Sequence, residues 1–198
     1  MIRTLILAVA AAAAPLAAAD TWTVDPVHTW AQFKVKHMGA GFSIGRFNTI
    51  AGTVQWDVAD PTKSAISVTI ETASVDTGRD KASQARDEHL RGPDFLSAKE
   101  FPAMTFTSTA IAKTDKADTW TVTGNFSLRG VTKPVTVTLV KTGQAVLPAQ
   151  AGANAGKPVM GFDATFAISR KEFGMTYGEG AVGDEVAISV STEVIGPK

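Results

Sequence analysis

The sequence contains no cysteine and only three histidines among its 198 residues. Without cysteine the chain cannot form a disulfide, a cysteine-ligated zinc site or a thiol nucleophile. His28, His37 and His89 lie far apart and lack the i, i+4 spacing of helical metal sites, so no metal site and no cofactor are predicted. The domain must therefore be held together by its apolar core, and a large apolar interior is expected.

An excess of charge of one sign is also lacking. The chain has 19 lysine and arginine residues and 19 aspartate and glutamate residues. Overall charge therefore attracts it neither to nucleic acid nor to anionic lipid head groups, and no nucleic-acid partner is predicted. No glycine-rich loop follows a strand and opens a helix, so nucleotide chemistry has no support.

The one long apolar run is too short to span a membrane. It extends from Leu5 to Leu16, about 12 residues where a span needs roughly 20. Arg3 precedes it and an Ala-Ala-Ala site follows it, an order typical of a secretory signal peptide over residues 1–19, cleaved after Ala19. We therefore expect export to a bacterial periplasm, no stable membrane insertion, and a single mature domain over residues 20–198.

The rest of the sequence is dominated by runs of Thr, Val, Ile, Phe and Trp in which apolar and polar residues alternate. Between Ala31 and Lys36, for example, odd positions are apolar and even positions polar, which predicts a strand with one buried face. The predicted strands are Thr21–Val24, His28–His37, Arg46–Trp56, Ala65–Glu71, Pro102–Lys113, Thr119–Leu128, Val131–Lys141, Gly161–Ser169 and Glu185–Val194. Short connections and a tight hairpin turn at Arg129-Gly130 favour sequential antiparallel pairing in a closed barrel of about eight strands.

Two segments depart from the strand pattern. Residues Gly78 to Gly92 are rich in charged residues and alanine and predict a helix, which Gly92-Pro93 would end. Residues Gly143 to Pro158 are rich in Gly, Ala and Pro and predict a long mobile loop between two strands.

Catalytic motifs are weak. Residues 41–45 match the G-x-S-x-G nucleophile elbow, but an elbow joins a strand to a helix, whereas a strand is predicted here, so a glycine-rich connection is the better interpretation. The carboxylate pairs Asp87-Glu88 and Asp184-Glu185 consist of adjacent residues whose side chains diverge, so neither pair suits hydrolysis of a glycosidic bond. No catalytic residue is predicted.

Aromatic residues are concentrated in the predicted strands. They could simply fill the core, but an eight-stranded barrel encloses either packed side chains or one small ligand, and composition does not separate the two cases. Alternation places one set of residues inside, and we predict that they line a tunnel for an apolar ligand: Phe33, Val35, Phe47, Phe106, Phe126, Phe162, Phe166 and Ile168.

Five stretches occur in the order found in one known family. They are residues 25–39 (DPVHTWAQFKVKHMG), residues 86–92 (RDEHLRG), residues 100–109 (EFPAMTFTST), residues 124–135 (GNFSLRGVTKPV) and residues 170–188 (RKEFGMTYGEGAVGDEVAI). In this the chain resembles the YceI family of periplasmic, lipocalin-like polyisoprenoid-binding proteins. It departs from the family pattern at Gly92-Pro93 and in the segment Gly143 to Pro158.

The resemblance implies an all-β fold, an extended eight-stranded antiparallel lipocalin-like barrel with a short helix near one end. It also implies that the barrel binds or carries a long-chain polyisoprenoid, such as a quinone or a prenyl pyrophosphate. For the ligand's polar head we predict contacts from basic residues that can donate to phosphate or quinone oxygens. These are His37, Arg46, Arg86, His89 and Arg91.

Three alternatives remain open at this point. Arg86 and Asp87 could merely fasten the helix. The barrel could be empty and act through protein contacts, or it could be a periplasmic enzyme that modifies a lipid. The sequence also leaves open whether the chain acts alone or as a homodimer.

Overall fold

Residues 19–198 are described in the computed structural model, and they form one antiparallel barrel. The predicted signal peptide, up to residue 18, lies outside them. The strands are β1 (Asp20–Val24), β2 (Trp30–His37), β3 (Gly41–Phe47), β4 (Ile50–Trp56), β5 (Ala65–Glu71), β6 (Val75–Asp76), β7 (Ala103–Lys113), β8 (Thr119–Leu128), β9 (Val131–Val146), β10 (Pro158–Ser169) and β11 (Val182–Ile195), with helix α1 at Lys81–Arg91. Short 3-10 turns lie at Pro61–Lys63, Thr72–Ser74, Ala149–Asn154 and Arg170–Phe173.

The eleven strands occupy eight barrel positions because three positions hold a broken strand. β1 and β2 both pair with β11, and they pair with β4 and β3 respectively on their other side. β5 pairs with β4 and β6 with β3, so β5 and β6 share a position as well. From β7 to β11 each strand pairs with the next, and the pairing of β1 with β11 closes the barrel. The predicted fold class is confirmed.

Up-and-down order divides the connections between two ends of the barrel. At the helix end lie the β2–β3 turn, residues 77–102 with α1, the β8–β9 turn and residues 170–181. The β8–β9 turn is the predicted Arg129-Gly130 hairpin, and both residues have positive φ, as a type I′ turn requires. At the far end lie residues 57–64, 114–118 and 147–157.

Aromatic side chains fill the far end of the barrel. The ring centroids of Trp56 and Trp120 are 5.2 Å apart and those of Trp56 and Phe162 are 5.0 Å apart, both in edge-on geometry. Such edge-to-face contacts are favoured by the quadrupoles of the rings. Trp22 is also buried there. These rings form a floor that closes the interior at this end.

Several predicted boundaries are corrected. The segment from Gly143 to Pro158 is shorter as a loop, because β9 continues to Val146 and β10 begins at Pro158. The segment is strand despite its small residues because its partner strand supplies the buried contacts: Ala145 pairs with Val159, and the neighbouring Met160 is buried in the core.

The G-x-S-x-G sequence at residues 41–45 is part of strand β3, not a connection. The strand predicted from Arg46 to Trp56 is interrupted at residues 48–49, so that it becomes parts of β3 and β4. The predicted helix is confirmed, with Asp80 as its N-cap and Gly92 as its C-cap. Among residues 19–198, no helix has both the length and the apolar character needed to cross a membrane.

A short hydrogen-bonded network holds the break between β1 and β2. The Asp25 carboxylate accepts from the backbone N–H of Val27 at 2.9 Å and from His28 Nδ1 at 2.8 Å, and Glu193 lies 3.7 Å from the same His28 nitrogen. The hydrogen bond to Asp25 raises the pKa of His28; burial opposes this rise, and the charges of Asp25 and Glu193 add to it. Burial of Asp25 opposes its ionisation, but the bonds from His28 and Val27 outweigh it and lower the pKa of Asp25.

This network predicts a small pH dependence. The raised pKa of His28 gives stability that is complete below its usual pKa of 6.5 and is lost as the pH rises through the folded-state pKa. The lowered pKa of Asp25 gives stability that is present above its usual pKa of 3.8 and is lost as the pH falls through the folded value. The His28 side chain is 61% exposed, so solvent screens the effect. In an NMR titration we expect a His28 pKa above 6.5 that falls in the Asp25→Asn variant; an unchanged pKa would contradict the assignment.

Candidate binding site

The barrel encloses a cavity of about 510 Å³. Along β11 its lining extends from Val182 to Val194, twelve residue steps. At about 3.3 Å per residue and a strand tilt of about 40°, this corresponds to roughly 30 Å along the barrel axis. Volume divided by length gives a cross-section of about 17 Å². Non-bonded carbon atoms pack at about 4 Å, so a hydrocarbon chain is about as wide as this cross-section. The cavity is therefore a narrow tunnel.

All eight residues predicted for the ligand's tail lie on the wall of this cavity. Alternation explains the result, because successive side chains of a strand point to opposite faces of the sheet. Phe162 is part of the floor, whereas Phe126 packs against Phe166 at 5.6 Å and Phe173 at 5.7 Å nearer the helix end. Their contact with a ligand stays a prediction.

Two of the lining rings lie flat against the wall because the neighbouring strand has an inward-facing glycine. A Cβ atom on Gly45 would stand 2.4 Å from Cζ of Phe33, and one on Gly124 would stand 2.4 Å from Cζ of Phe106. Rings that cover an inward glycine occupy the space of its missing side chain. The centre of the barrel is thereby left open.

The predicted head-group residues divide into two sets. His37, Arg86 and His89 line the cavity at the helix end, which we call the mouth. Arg46 and Arg91 are not part of the lining. Arg46 points outward, since Gly45 and Phe47 beside it point inward, and its Nη2 lies 3.2 Å from Asp76. Arg91 is engaged by backbone carbonyls, because its Nε donates to Ala73 and its Nη2 to Val75.

Arg86 is held in place by the segment before the helix. Its Nε donates to Thr77 Oγ1 at 2.8 Å, and its Nη2 donates to Thr77 O at 3.0 Å and to Ser83 Oγ at 3.1 Å. The buried Asp87 carboxylate accepts from both the N–H and the hydroxyl of Thr77. Among residues 19–198, Nη1 of Arg86 has no hydrogen-bond partner. Arg86 thus fastens the helix and still has donors that can face a ligand.

His89 belongs to an aromatic cluster on the rim of the mouth. Its ring lies edge-on to Phe95 at 5.1 Å and to Tyr177 at 4.9 Å, and its Nε2 is 2.8 Å from Asp94. Phe95 follows the helix, while Tyr177 comes from residues 170–181. The cluster therefore joins the two segments that cover this end of the barrel.

Sequence reasoning missed Arg170, which is only 2% exposed and lies on the cavity wall. Its guanidinium donates to four backbone carbonyls: those of Met175, Tyr177, Val182 and Gly183. No carboxylate within 4 Å pairs with it in the described chain. Such a set of carbonyls satisfies nearly all of its donors, so Arg170 clamps residues 170–183 into a cover over the mouth.

The ionisable residues on the cavity wall are all basic. Within residues 19–198 the basic residues of the lining are His37, Arg86, His89 and Arg170. In the same part of the chain the lining also includes the phenol of Tyr177, but no aspartate or glutamate. All of them lie at the mouth, whereas the rest of the wall is mostly aliphatic and aromatic. An apolar tunnel with a basic mouth suits a long apolar chain that ends in an anionic or hydrogen-bond-accepting head.

A family model described as a YceI-like domain matches residues 22–194. The chain belongs to the YceI family. This confirms the resemblance inferred from the motifs. A curated relative of this YceI-family chain, a UPF0312 protein of Yersinia enterocolitica, is 38% identical over 171 residues, which are 86% of this chain and 83% of the relative.

Solved structures show the same architecture. BcnA of Burkholderia cenocepacia is 26% identical, with a TM-score of 0.73 over 86% of this chain and 98% of BcnA. A polyisoprenoid binding domain from Saccharophagus degradans, implicated in plant cell wall breakdown, is 13% identical, with a TM-score of 0.66 over 91% of this chain and 99% of that domain. At that identity the likeness shows a shared fold.

The role of the inward glycines predicts the effect of Gly45→Ala. The added methyl would contact side-chain atoms of Phe33 and Thr77, so the Phe33 ring must move toward the lumen. We expect the free energy of unfolding to fall by about 1–2 kcal/mol, measured by urea denaturation. Gly143→Ala in β9 is the control, since no heavy atom lies within 4 Å of its Cβ position. Equal urea midpoints for the two variants would contradict this role.

The clamp formed by Arg170 predicts the effect of Arg170→Lys. A lysine ammonium is a compact donor that cannot reach four carbonyls spread around the planar guanidinium. We expect a loss of about 2–4 kcal/mol in the free energy of unfolding and faster hydrogen exchange of the amides in residues 175–183. Lys171→Gln is the control, because it removes only an exposed pair with Glu179 and should cost less than about 1 kcal/mol. Indistinguishable variants would show that no clamp exists.

Proposed function

We propose that this protein binds a single long-chain polyisoprenoid lipid, with the tail in the tunnel and the polar head at the basic mouth. The observation that carries the proposal is the shape and lining of the cavity, which is long, narrow and apolar and, in the described chain, has basic residues on its wall only at the helix end. The Saccharophagus degradans domain of the same fold, described as polyisoprenoid binding, supports this class of ligand.

The tail supplies most of the expected affinity. Burial of one methylene is worth roughly 0.8 kcal/mol, so a five-carbon unit contributes on the order of 3–4 kcal/mol before ordering costs. Non-covalent affinity saturates near about −20 kcal/mol, which limits how many units can contribute fully. Tail length is therefore selected by the distance from the mouth to the floor formed by Trp56, Trp120 and Phe162.

The head is proposed to contact Arg86, His89 and His37. Arg86 is fixed by Thr77 and Ser83, so little side-chain entropy is lost when it donates to a ligand oxygen. Phosphate and quinone oxygens both accept from guanidinium and imidazole donors. Arg170 contributes positive charge close by, while its donors remain bound to carbonyls.

We further propose that residues 1–19 direct export and that the protein carries its lipid in the periplasm as a binding protein without catalytic turnover. The absence of cysteine is compatible with this, because the fold does not depend on redox conditions.

The proposal predicts the effect of filling the tunnel. Ala164 lies on the cavity wall, so Ala164→Phe places an apolar ring in the lumen without burying a polar group. We expect this variant to lose retained lipid by at least about tenfold, measured by mass spectrometry of an organic extract of natively purified protein. The matched control is Ala167→Phe, which adds the same ring on the outer face of the same strand. Absence of lipid from folded wild-type protein would favour an empty barrel that acts through protein contacts.

A further inference from the structure

The outer face of β2 and β3 carries an unusual group of exposed apolar side chains. Eight large apolar side chains are exposed in residues 19–198, and five of them lie between Val27 and Ile44. Four belong to one surface: Trp30, Met38, Phe42 and Ile44 are 45%, 65%, 55% and 58% exposed. A contiguous patch of exposed apolar side chains on a folded domain marks an interaction surface, whereas scattered single ones need no explanation.

Basic side chains are interleaved with these rings. Nζ of Lys34 lies 4.1 Å and Nζ of Lys36 lies 4.7 Å from the centroid of Phe42, and the Arg46 guanidinium carbon lies 4.8 Å from that of Trp30. The strand register explains this, because Lys36 is paired with Phe42 and Lys34 with Ile44. We call the set Trp30, Lys34, Lys36, Met38, Phe42, Ile44 and Arg46 the hairpin patch.

The hairpin patch has a local positive charge that the neutral composition of the chain hides. Arg46 pairs with Asp76, but in the described chain neither Lys34 nor Lys36 has a carboxylate within 4 Å. On the adjacent β11, Ala187 pairs with Lys34, and Ser189 and Ser191 follow it along β2. Glu185 lies two residues before Ala187 on the same outer face and is exposed, but it forms no ion pair with either lysine. With Glu185 counted, the two lysines still leave the patch positive.

The hairpin patch adjoins the mouth of the tunnel. The turn that joins β2 to β3 begins after His37, which lines the cavity, and Met38 at its tip donates its backbone N–H to Ala181 O at 2.7 Å. Residues 170–181, which cover the mouth, therefore lie directly beside it. Whatever binds the hairpin patch sits next to the opening through which a ligand would pass.

We infer that the hairpin patch docks onto a lipid bilayer surface that carries anionic head groups. Aromatic and long apolar side chains insert at the bilayer interface, while lysines extend their ammonium groups to the anionic lipids. A second copy of the chain fits less well, because a two-fold interface centred on the patch would bury Lys34 and Lys36 of both copies in one contact without added carboxylates. The mode of docking rests on the surface alone and would hold with the tunnel empty or full.

The experiment measures binding of the full chain to vesicles by flotation. Vesicles of phosphatidylglycerol and phosphatidylcholine in equal amounts are compared with vesicles of phosphatidylcholine alone, at low and high salt. We expect binding to the anionic vesicles that weakens as salt rises. Each lysine near an anionic surface contributes roughly fivefold to partitioning, so the double variant Lys34→Glu, Lys36→Glu should bind at least about 30-fold more weakly.

The control carries the same change of charge elsewhere. Lys113→Glu with Lys116→Glu alters two exposed lysines at the far end of the barrel and should bind like the wild type. The Ala164→Phe variant should also bind vesicles normally, which separates failure of the docking surface from failure of the lipid-binding proposal.

Trp30 provides a direct probe of contact. It is exposed, whereas the other three tryptophans, Trp22, Trp56 and Trp120, are buried. Brominated lipids in the anionic vesicles should therefore quench the fluorescence of Trp30 in the wild type and not in the Lys34, Lys36 variant. Equal binding and quenching in the two proteins would overturn the inference. So would a change of oligomeric mass in that variant with vesicle binding unchanged, since the hairpin patch would then be a contact between copies.

Discussion

The open interior depends on the positions of two phenylalanine rings, those of Phe33 and Phe106. In an eight-stranded barrel, inward side chains are numerous enough to fill the lumen. Phe33 and Phe106 lie flat against the wall, because Gly45 and Gly124 on the adjacent strands leave room for them. A side chain at either glycine would displace a ring toward the axis. The tunnel is therefore a consequence of glycines on one strand lying beside phenylalanines on the next. Because the rings cover the glycines, the wall stays continuous and apolar.

The two ends of the barrel are closed by different forces, and this gives the tunnel a direction. At the far end, Trp56 packs edge-on against Trp120 and Phe162, and the cavity wall that the described residues form there carries no charged side chain. At the helix end, the cover is held by hydrogen bonds to charged groups, those of Arg170 to four carbonyls and those of Asp87 to Thr77. Segments held by a few polar contacts open at lower free energy than a packed core. A ligand that enters tail first would meet the floor with its tail and the basic rim with its head.

The sequence predicted the inward face well because side chains in a strand alternate with a period of two, and eight of eight tail residues lie on the cavity wall. The same rule applied to Arg46 would have placed it outside, since Phe47 next to it was predicted inside. A boundary failed where the backbone breaks for tertiary reasons, between β3 and β4, because the backbone N–H groups of Asn48 and Thr49 donate to Ser74 after β5. Arg170 had no local signal, because its four carbonyl partners come together only after the segment up to Gly183 folds back.

A barrel that carries an insoluble lipid must receive it from a phase in which that lipid dissolves, and transfer through water is opposed by the same apolar area that favours binding. The location of the mouth relative to the outer surface therefore matters as much as the tunnel. The β2–β3 turn links the two directly: His37 faces the cavity, whereas Met38 is exposed and bonds to the cover at Ala181. A bilayer in contact with this turn would therefore lie directly beside the cover, at the end of the tunnel that carries the basic residues.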